Sequence, residues 1–164
     1  MKVTLKGNPV NTIGELPPVG VTAPDFKLVK TDLSEVSLGS YAGKRKVLNI
    51  FPSVDTPTCA TSVRQFNQKA AAQPNTVVLN ISQDLPFAMK RFCAAEGITN
   101  VDSLSAFRSS FAKDYQVELV DSALKGLCSR AVIVLDENNK VLYTEQVAEI
   151  ANEPNYEKAL SVLK

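Results

Sequence analysis

At 164 residues, 45% apolar and 21% charged, the chain has the size and composition of one soluble globular domain, expected over residues 1–164. A net charge of +1 argues against nucleic acid or an acidic membrane surface as partner, and no run approaches the roughly 18 apolar residues of a membrane span. The absence of histidine excludes Ser-His-Asp and Cys-His catalysis and most catalytic zinc sites.

The first residues, Met1-Lys-Val-Thr-Leu-Lys-Gly7, lack the apolar core of a signal peptide, which favours a cytoplasmic location. Residues 2–12 alternate around Gly7-Asn8-Pro9 as a small hairpin does. Residues 13–25, rich in Gly and Pro, read as an extended connector, and short strands are expected at Phe26–Val29 and Val36–Leu38. The apolar run Lys46–Phe51 predicts a buried strand, followed by a turn and a helix over Pro57–Ala72 with Thr56 as N-cap and Pro57 as first helical residue. Thr76–Ile81 predicts a second buried strand, and Pro86–Glu96 a helix opened by proline and ended by Gly97. A short helix is expected over Ser105–Lys113. Arg130–Asp136 predicts a third strong strand, turned by Glu137-Asn-Asn-Lys140 into an antiparallel partner, Val141–Gln146. Tyr156–Leu163 predicts a closing helix. This order implies an α/β sandwich with a mixed central sheet flanked by helices, plus the N-terminal β-hairpin. Strand 46–51, its crossover helix and strand 76–81 form a right-handed βαβ unit.

That arrangement puts Cys59 in the first turn of a helix at the carboxyl end of a central strand, where open α/β sheets carry their sites. The unpaired N–H groups there favour a thiolate, the nucleophilic form. Spacing alone fits a core cysteine as well, because Cys59, Val63, Phe66 and Ala70 share one helical face. Thr56 has a hydroxyl three residues before the thiol that suits it to orient sulfur or substrate. Pro52 either ends the strand or stiffens and shields the loop. Arg130 is either a charged strand end reaching solvent or a fixed positive charge beside a thiolate. Without histidine, an arginine and a helix N-terminus are the remaining groups that stabilise such a thiolate. Cys93 sits with Leu85, Met89 and Phe92 on what reads as a core face, and Cys128 reads as a structural thiol. Phe87, Met89, Phe92 and Leu127 are candidates for an apolar substrate wall, although core positions explain most of them. The three cysteines show no Cys-x-x-Cys spacing, so neither a thioredoxin-type redox pair nor a metal site is expected.

The segment Pro52-Ser-Val-Asp-Thr56-Pro-Thr-Cys59 matches the peroxiredoxin pattern Pro-x-x-x-Thr/Ser-x-x-Cys. Lys46–Ser53 and Ala60–Asn67, on either side, resemble the bacterial thiol peroxidase subfamily. So do Ser82-Gln-Asp-Leu-Pro-Phe-Ala-Met-Lys-Arg-Phe-Cys93, Leu127-Cys-Ser-Arg130-Ala-Val, the N-terminal hairpin and Glu153-Pro-Asn-Tyr-Glu-Lys-Ala-Leu160. The resemblance covers essentially the whole chain. It implies a thioredoxin-like fold and a homodimer, with Cys59 as peroxidatic cysteine and Cys93 as resolving cysteine of the same chain. Thr56, Pro52 and Arg130 would complete the peroxide-activating set. It further implies hydrogen peroxide and especially alkyl hydroperoxides as substrates, thioredoxin as reductant, and no metal, flavin or haem cofactor. Cys128 departs from the subfamily, which usually carries a small non-thiol residue there. A Cys59–Cys93 disulfide needs Cα atoms within about 7 Å, so two helical thiols imply local unwinding during turnover. Readings from other classes are a peroxide-responsive thiol–disulfide sensor without significant turnover, and a binding module with inert core cysteines.

Overall fold

The computed structural model describes residues 1–70 and 72–164. The N-terminal hairpin forms as expected: β1 (Lys2–Leu5) pairs antiparallel with β2 (Asn8–Asn11). Lys6 and Gly7 join them at φ 51° and 83°, the two consecutive left-handed residues that a tight two-residue hairpin requires. The main sheet then takes β3 (Leu28–Lys30), β4 (Glu35–Val36), β5 (Arg45–Ile50), β6 (Thr76–Ser82), β7 (Asp102–Ser105), β8 (Ala131–Leu135) and β9 (Val141–Gln146). Its spatial order is β4-β3-β7-β6-β5-β8-β9. The central β5, β6 and β7 run parallel, and β3, β4, β8 and β9 add antiparallel flanks. Among the described residues, four α-helices accompany it: α1 (Pro57–Lys69), α2 (Pro86–Glu96), α3 (Phe111–Asp114) and α4 (Tyr156–Ser161).

Alternation along the strands sends side chains to two cores. Leu48 and Ile50 of β5, with Leu79 and Ile81 of β6 and Ile133 of β8, pack against Phe26, Phe111 and Tyr115 on one face. Val47, Val78, Val132 and Val134 pack on the other face against Phe66 of α1 and Leu160 and Leu163 near the C-terminus. The mixed α/β sandwich expected from the sequence is therefore the observed one. Boundaries shift by one or two residues at several elements, among them the expected strand Phe26–Val29, observed at Leu28–Lys30, and the closing helix Tyr156–Leu163, observed to end at Ser161; three further differences stand out. The expected strand Val36–Leu38 ends at Val36, and Leu38–Tyr41 is a 3-10 turn. Helix α1 stops at Lys69, with Ala70 at its C-cap; residue 71, inside the helix expected to Ala72, lies outside the described residues.

The third difference is the strand β7, where the sequence suggested no strand and a helix from Ser105. Asp102-Ser-Leu-Ser105 carries a single large apolar residue, too weak an alternation to read. Tertiary partners supply what the pattern lacks: Tyr41 Oη donates to Asp102, Ser103 Oγ lies 3.3 Å from Cys93 Sγ, and Ser105 Oγ donates to the Asp84 carbonyl. The helix that follows is only Phe111–Asp114.

The topology gathers one end of the sheet. Parallel β5 and β6 both finish there and lead into α1 and α2. Antiparallel β8 begins there, with Ala131 opposite Ile50, so Arg130 enters beside the residues that follow β5.

Candidate active site

Cys59 occupies the first turn of α1. Thr56 takes the extended cap conformation (φ −105°, ψ 145°) and Pro57 opens the helix, as the sequence suggested. The N–H groups of this turn have no carbonyl to meet within the helix. The Thr56 side chain does not cap the helix, however. Its hydroxyl donates instead to the Ser53 carbonyl at 3.0 Å, which closes the Pro52–Pro57 loop on itself. Cys59 is 0% exposed and packs with Phe51, Val54, Val63, Phe92 and Ile98.

Arg130 lies beside that cysteine. It is 2% exposed, so it is no solvent-reaching strand end. Nη2 donates to Cys59 Sγ at 3.2 Å, and Nε donates to the Ile150 carbonyl at 2.7 Å. Nη1 is buried without a protein partner. A buried guanidinium with a spare donor costs free energy unless an anion or an acceptor meets it. Here Nη2 meets the sulfur, and Nη1 keeps its donors unpaired. Its orientation is set by backbone that no sequence pattern advertises. The Ile150 carbonyl takes Nε, and Gln146 Nε2 donates to the Arg130 carbonyl at 3.0 Å.

Arg130, which contacts the thiol, lines a cleft of about 430 Å³ together with Pro52, Ser53, Thr56, Pro57 and Thr58 on one side; Cys59 itself is not among the lining residues. Leu5, Lys6, Leu124, Leu127, Ile150 and Ala151 form the other side. The hairpin is thus a wall of the cleft, a role the sequence did not suggest for it. Glu149 fastens that wall: its carboxylate accepts from Thr4 Oγ1 (3.0 Å), Gly7 N (2.8 Å) and Ala151 N (2.9 Å). These bonds, led by the Ala151 and Gly7 amides, hold its pKa down at about 2. Of the apolar wall candidates, only Leu127 lines the cleft. Met89 and Phe92 are core, and Phe87 is 66% exposed, because α2 turns it away from both.

Cys93 lies on α2 at the margin of the same apolar cluster as Cys59 and is half-buried, its Sγ beside Ser103 Oγ. It borders a separate pocket of about 360 Å³. Cys59, Cys93 and Cys128 are all free thiols. Cys128 is 0% exposed in the large core, as a structural thiol should be, and burial pushes its pKa up to about 12. Among the described residues, no group of His, Cys, Asp and Glu side chains has the arrangement to hold a metal ion, and no helix is long and apolar enough to cross a membrane.

Two polar networks went unread in the sequence. Beneath α1, Asn49 Nδ2 donates to Asn80 Oδ1 (3.0 Å) and Ser62 Oγ (3.2 Å), and Ser62 Oγ donates to the Cys59 carbonyl (2.8 Å). The signal was present: an asparagine at the same register of two apolar strands. Asp84 holds the loop before Cys59 by bonds to Ser53 and Val54. Its only sequence signal is its place just ahead of the Pro86 helix.

A family model described as Redoxin matches residues 18–160. The chain is similar to the thiol peroxidase of Corynebacterium glutamicum, 57% identical over 99% of this chain and 98% of the relative. The thiol peroxidase of Mycobacterium bovis is 56% identical, again over 99% of this chain and 98% of the relative. Among solved structures, a peroxiredoxin-like protein from Aquifex aeolicus superposes with a TM-score of 0.93 at 40% identity, covering 99% of this chain and 95% of that one. The thiol peroxidase from Chromobacterium violaceum gives 0.92 at 25% identity, with the same coverage.

Proposed function

This chain belongs to the redoxin family as a peroxiredoxin-type thiol peroxidase, and we propose that Cys59 is the thiol that attacks hydroperoxides, Cys93 the thiol that resolves the product, and thioredoxin the reductant that completes the cycle. The observation that carries the assignment to Cys59 is the 3.2 Å contact from the buried Arg130 guanidinium, which still has a donor to spare.

The hydroperoxide enters the cleft with its O–O group between Thr56 and Arg130. The Cys59 thiolate attacks the distal oxygen. A sulfur–oxygen bond forms, the O–O bond breaks, and its electron pair leaves on the proximal oxygen as alkoxide, which takes a proton to become the alcohol, or water when the substrate is hydrogen peroxide. Arg130 Nη1 and the first-turn N–H groups of α1 stabilise charge as it moves from sulfur to oxygen, so they act most in the transition state. The Thr56 hydroxyl oxygen, whose proton is held by Ser53, is an acceptor for the hydroperoxide O–H. Pro52 stiffens the loop and keeps water from the sulfur.

The Cys93 thiol then attacks the sulfur of the Cys59 sulfenic acid, releasing water and forming the disulfide. The shared apolar cluster supports this pairing. Both sulfurs sit on helices, so α1, α2 or both unwind locally to bring them into bonding geometry. A dithiol then reduces the disulfide, with its own sulfurs oxidised in exchange. The cleft wall of Leu5, Leu124, Leu127 and Ile150 favours alkyl hydroperoxides over hydrogen peroxide. The reading includes one peroxiredoxin domain over residues 1–164, operation in the cytoplasm, and a homodimer. The exposed Leu85, Phe87 and Phe107, at the end of the sheet where β6 and β7 finish, suit a dimer contact.

The test is steady-state hydroperoxide reduction with thioredoxin recycling, on wild type and Cys59→Ser together. Rapid turnover lost in the variant supports the assignment. Peroxide-dependent oxidation of Cys59 without turnover would replace it with a thiol–disulfide sensor. Equal background rates with Cys59 unoxidised would remove both.

A further inference from the structure

Asp84 follows β6 and stands two residues before α2, the helix that bears Cys93. It does not line the cleft. Its side chain nevertheless reaches across to the Cys59 loop. Oδ1 accepts from Ser53 Oγ at 2.7 Å; Oδ2 accepts from the Val54 N–H at 2.9 Å and from Ser82 Oγ at 2.5 Å. Ser53 Oγ in turn accepts from the Asp55 N–H at 3.1 Å. The Ser53 carbonyl takes both the Thr56 hydroxyl (3.0 Å) and the Thr56 N–H (3.2 Å). One carboxylate thereby fixes Ser53, Ser53 fixes Thr56, and Thr56 sets the start of α1. The Asp84 backbone leads directly into α2, and its carbonyl is anchored by Ser105 Oγ.

We propose that Asp84 is a positioning residue whose carboxylate latches the Pro52–Pro57 loop to the head of α2, so that it speeds the peroxide step and restrains the disulfide step. The inference rests on the assignment of Cys59 and Cys93 made above. The two steps make opposite demands. Attack on the hydroperoxide requires Thr56 and the α1 turn to be held still, because small displacements of positioned groups cost large factors in rate. Disulfide formation requires α1, α2 or both to let go. A group bonded to the loop of one helix and sited at the head of the other serves the first and opposes the second. Charge-assisted bonds to a partly buried carboxylate are the stronger kind. By contrast, another polar link between these segments, Arg91 to Asp55 at 2.7 Å, has side chains 61% and 58% exposed, a setting in which ion pairs hold little.

The experiment follows both steps separately by stopped-flow and mass spectrometry of the thiol states in wild type, Asp84→Ala, Asp84→Asn, Arg91→Ala and Cys128→Ala. In Asp84→Ala, Cys59 oxidation should slow about tenfold, while disulfide formation accelerates and less sulfinic acid accumulates at high peroxide. Asp84→Asn keeps one acceptor oxygen for the Val54 N–H and should fall between Asp84→Ala and wild type. Arg91→Ala should match wild type in both steps. General loosening of the structure would move the two steps in the same senses as Asp84→Ala, so Cys128→Ala, which loosens the large core away from the latch, is the control: the same opposite shifts there overturn the proposal. Both steps slowing together, or neither changing, overturns the proposal. If Asp84→Ala does not fold, the same pair of rates in Asp84→Asn decides it. Should wild-type Cys59 fail to oxidise at all, the functional assignment falls rather than the role of Asp84.

Discussion

Cys59 and Cys128 are both 0% exposed, yet their surroundings are opposite. Cys128 sits two residues before Arg130, in the large apolar core, where burial, then Glu118 and Asp84, push its pKa up to about 12. Cys59 is far from Arg130 in sequence, but it receives the guanidinium and lies at the open N–H end of a helix. Cys128 and Arg130 both lie just ahead of β8, outside its regular alternation, and their side chains reach different places: Cys128 the large core, Arg130 the sulfur of Cys59. Burial alone therefore does not set the environment of a thiol; a charge that shares the burial changes it.

The comparison breaks most visibly at Arg130. Arg130→Lys supplies a point charge and cannot donate at once to the Ile150 carbonyl, the sulfur and a peroxide oxygen. We expect kcat/KM for hydroperoxide to fall by about 10²-fold or more, the scale of losing a preorganised donor to developing charge. A loss under threefold would mean that the helix terminus suffices. Thr56 comes next. Thr56→Val removes the bond to the Ser53 carbonyl and the acceptor for the peroxide proton, and should cost about tenfold in kcat/KM, close to the value of one net hydrogen bond. Thr56→Ser should recover most of it. If valine and serine behave alike, the hydroxyl has no part in the reaction.

What could be read in the sequence follows the same division. Pro57, Cys59 and the strand before them are local signals, so the helix start and the sheet-end position of the thiol were legible. The role of Arg130 was visible only as a choice, because its burial depends on β8 running antiparallel to β5 with Ala131 opposite Ile50. The acceptors on Ile150 and Ala151 are backbone carbonyls and leave no trace in residue type. β7 was missed because its polar residues are satisfied by Tyr41, Cys93 and Asp84 from three distant segments, so no apolar alternation was needed to make it a strand. The capping role expected of the Thr56 side chain failed for a related reason. A tighter local loop competed for the same hydroxyl.

Cys128 sharpens the comparison from its inert side. Cys128→Ala should leave kcat/KM unchanged and cost on the order of 1 kcal/mol in stability at neutral pH from lost core volume. Its pKa is raised from the ordinary value of 9.0, so folding favours the protonated thiol. That contribution is fully present below pH 9 and is lost as pH rises through about 12. The variant should therefore lose less stability than wild type between those limits in alkaline denaturation. Equal slopes would show that the thiol titrates near its ordinary value and is not sealed.

The smallest effect lies at the wall of the cleft, where Glu149 ties the hairpin to Ala151. Its carboxylate is held at about 2, against an ordinary 4.5, chiefly by the Ala151 and Gly7 amides. A depressed carboxylate contributes fully above its unfolded value and loses that contribution as pH falls through the folded one. The Gly7 and Ala151 amide resonances should accordingly hold still from neutral pH down to about 3, and shift only below it. Glu149→Gln should abolish that acid shift and weaken turnover of long alkyl hydroperoxides more than of hydrogen peroxide, since only the longer substrate reaches Leu5 and Ile150. The Cys128 environment, shielded in the core, should not respond to either change. A midpoint near 4.5 for the two amides would show that the carboxylate is not clamped. The hairpin would then be a loose cover over the cleft rather than a fixed wall of it.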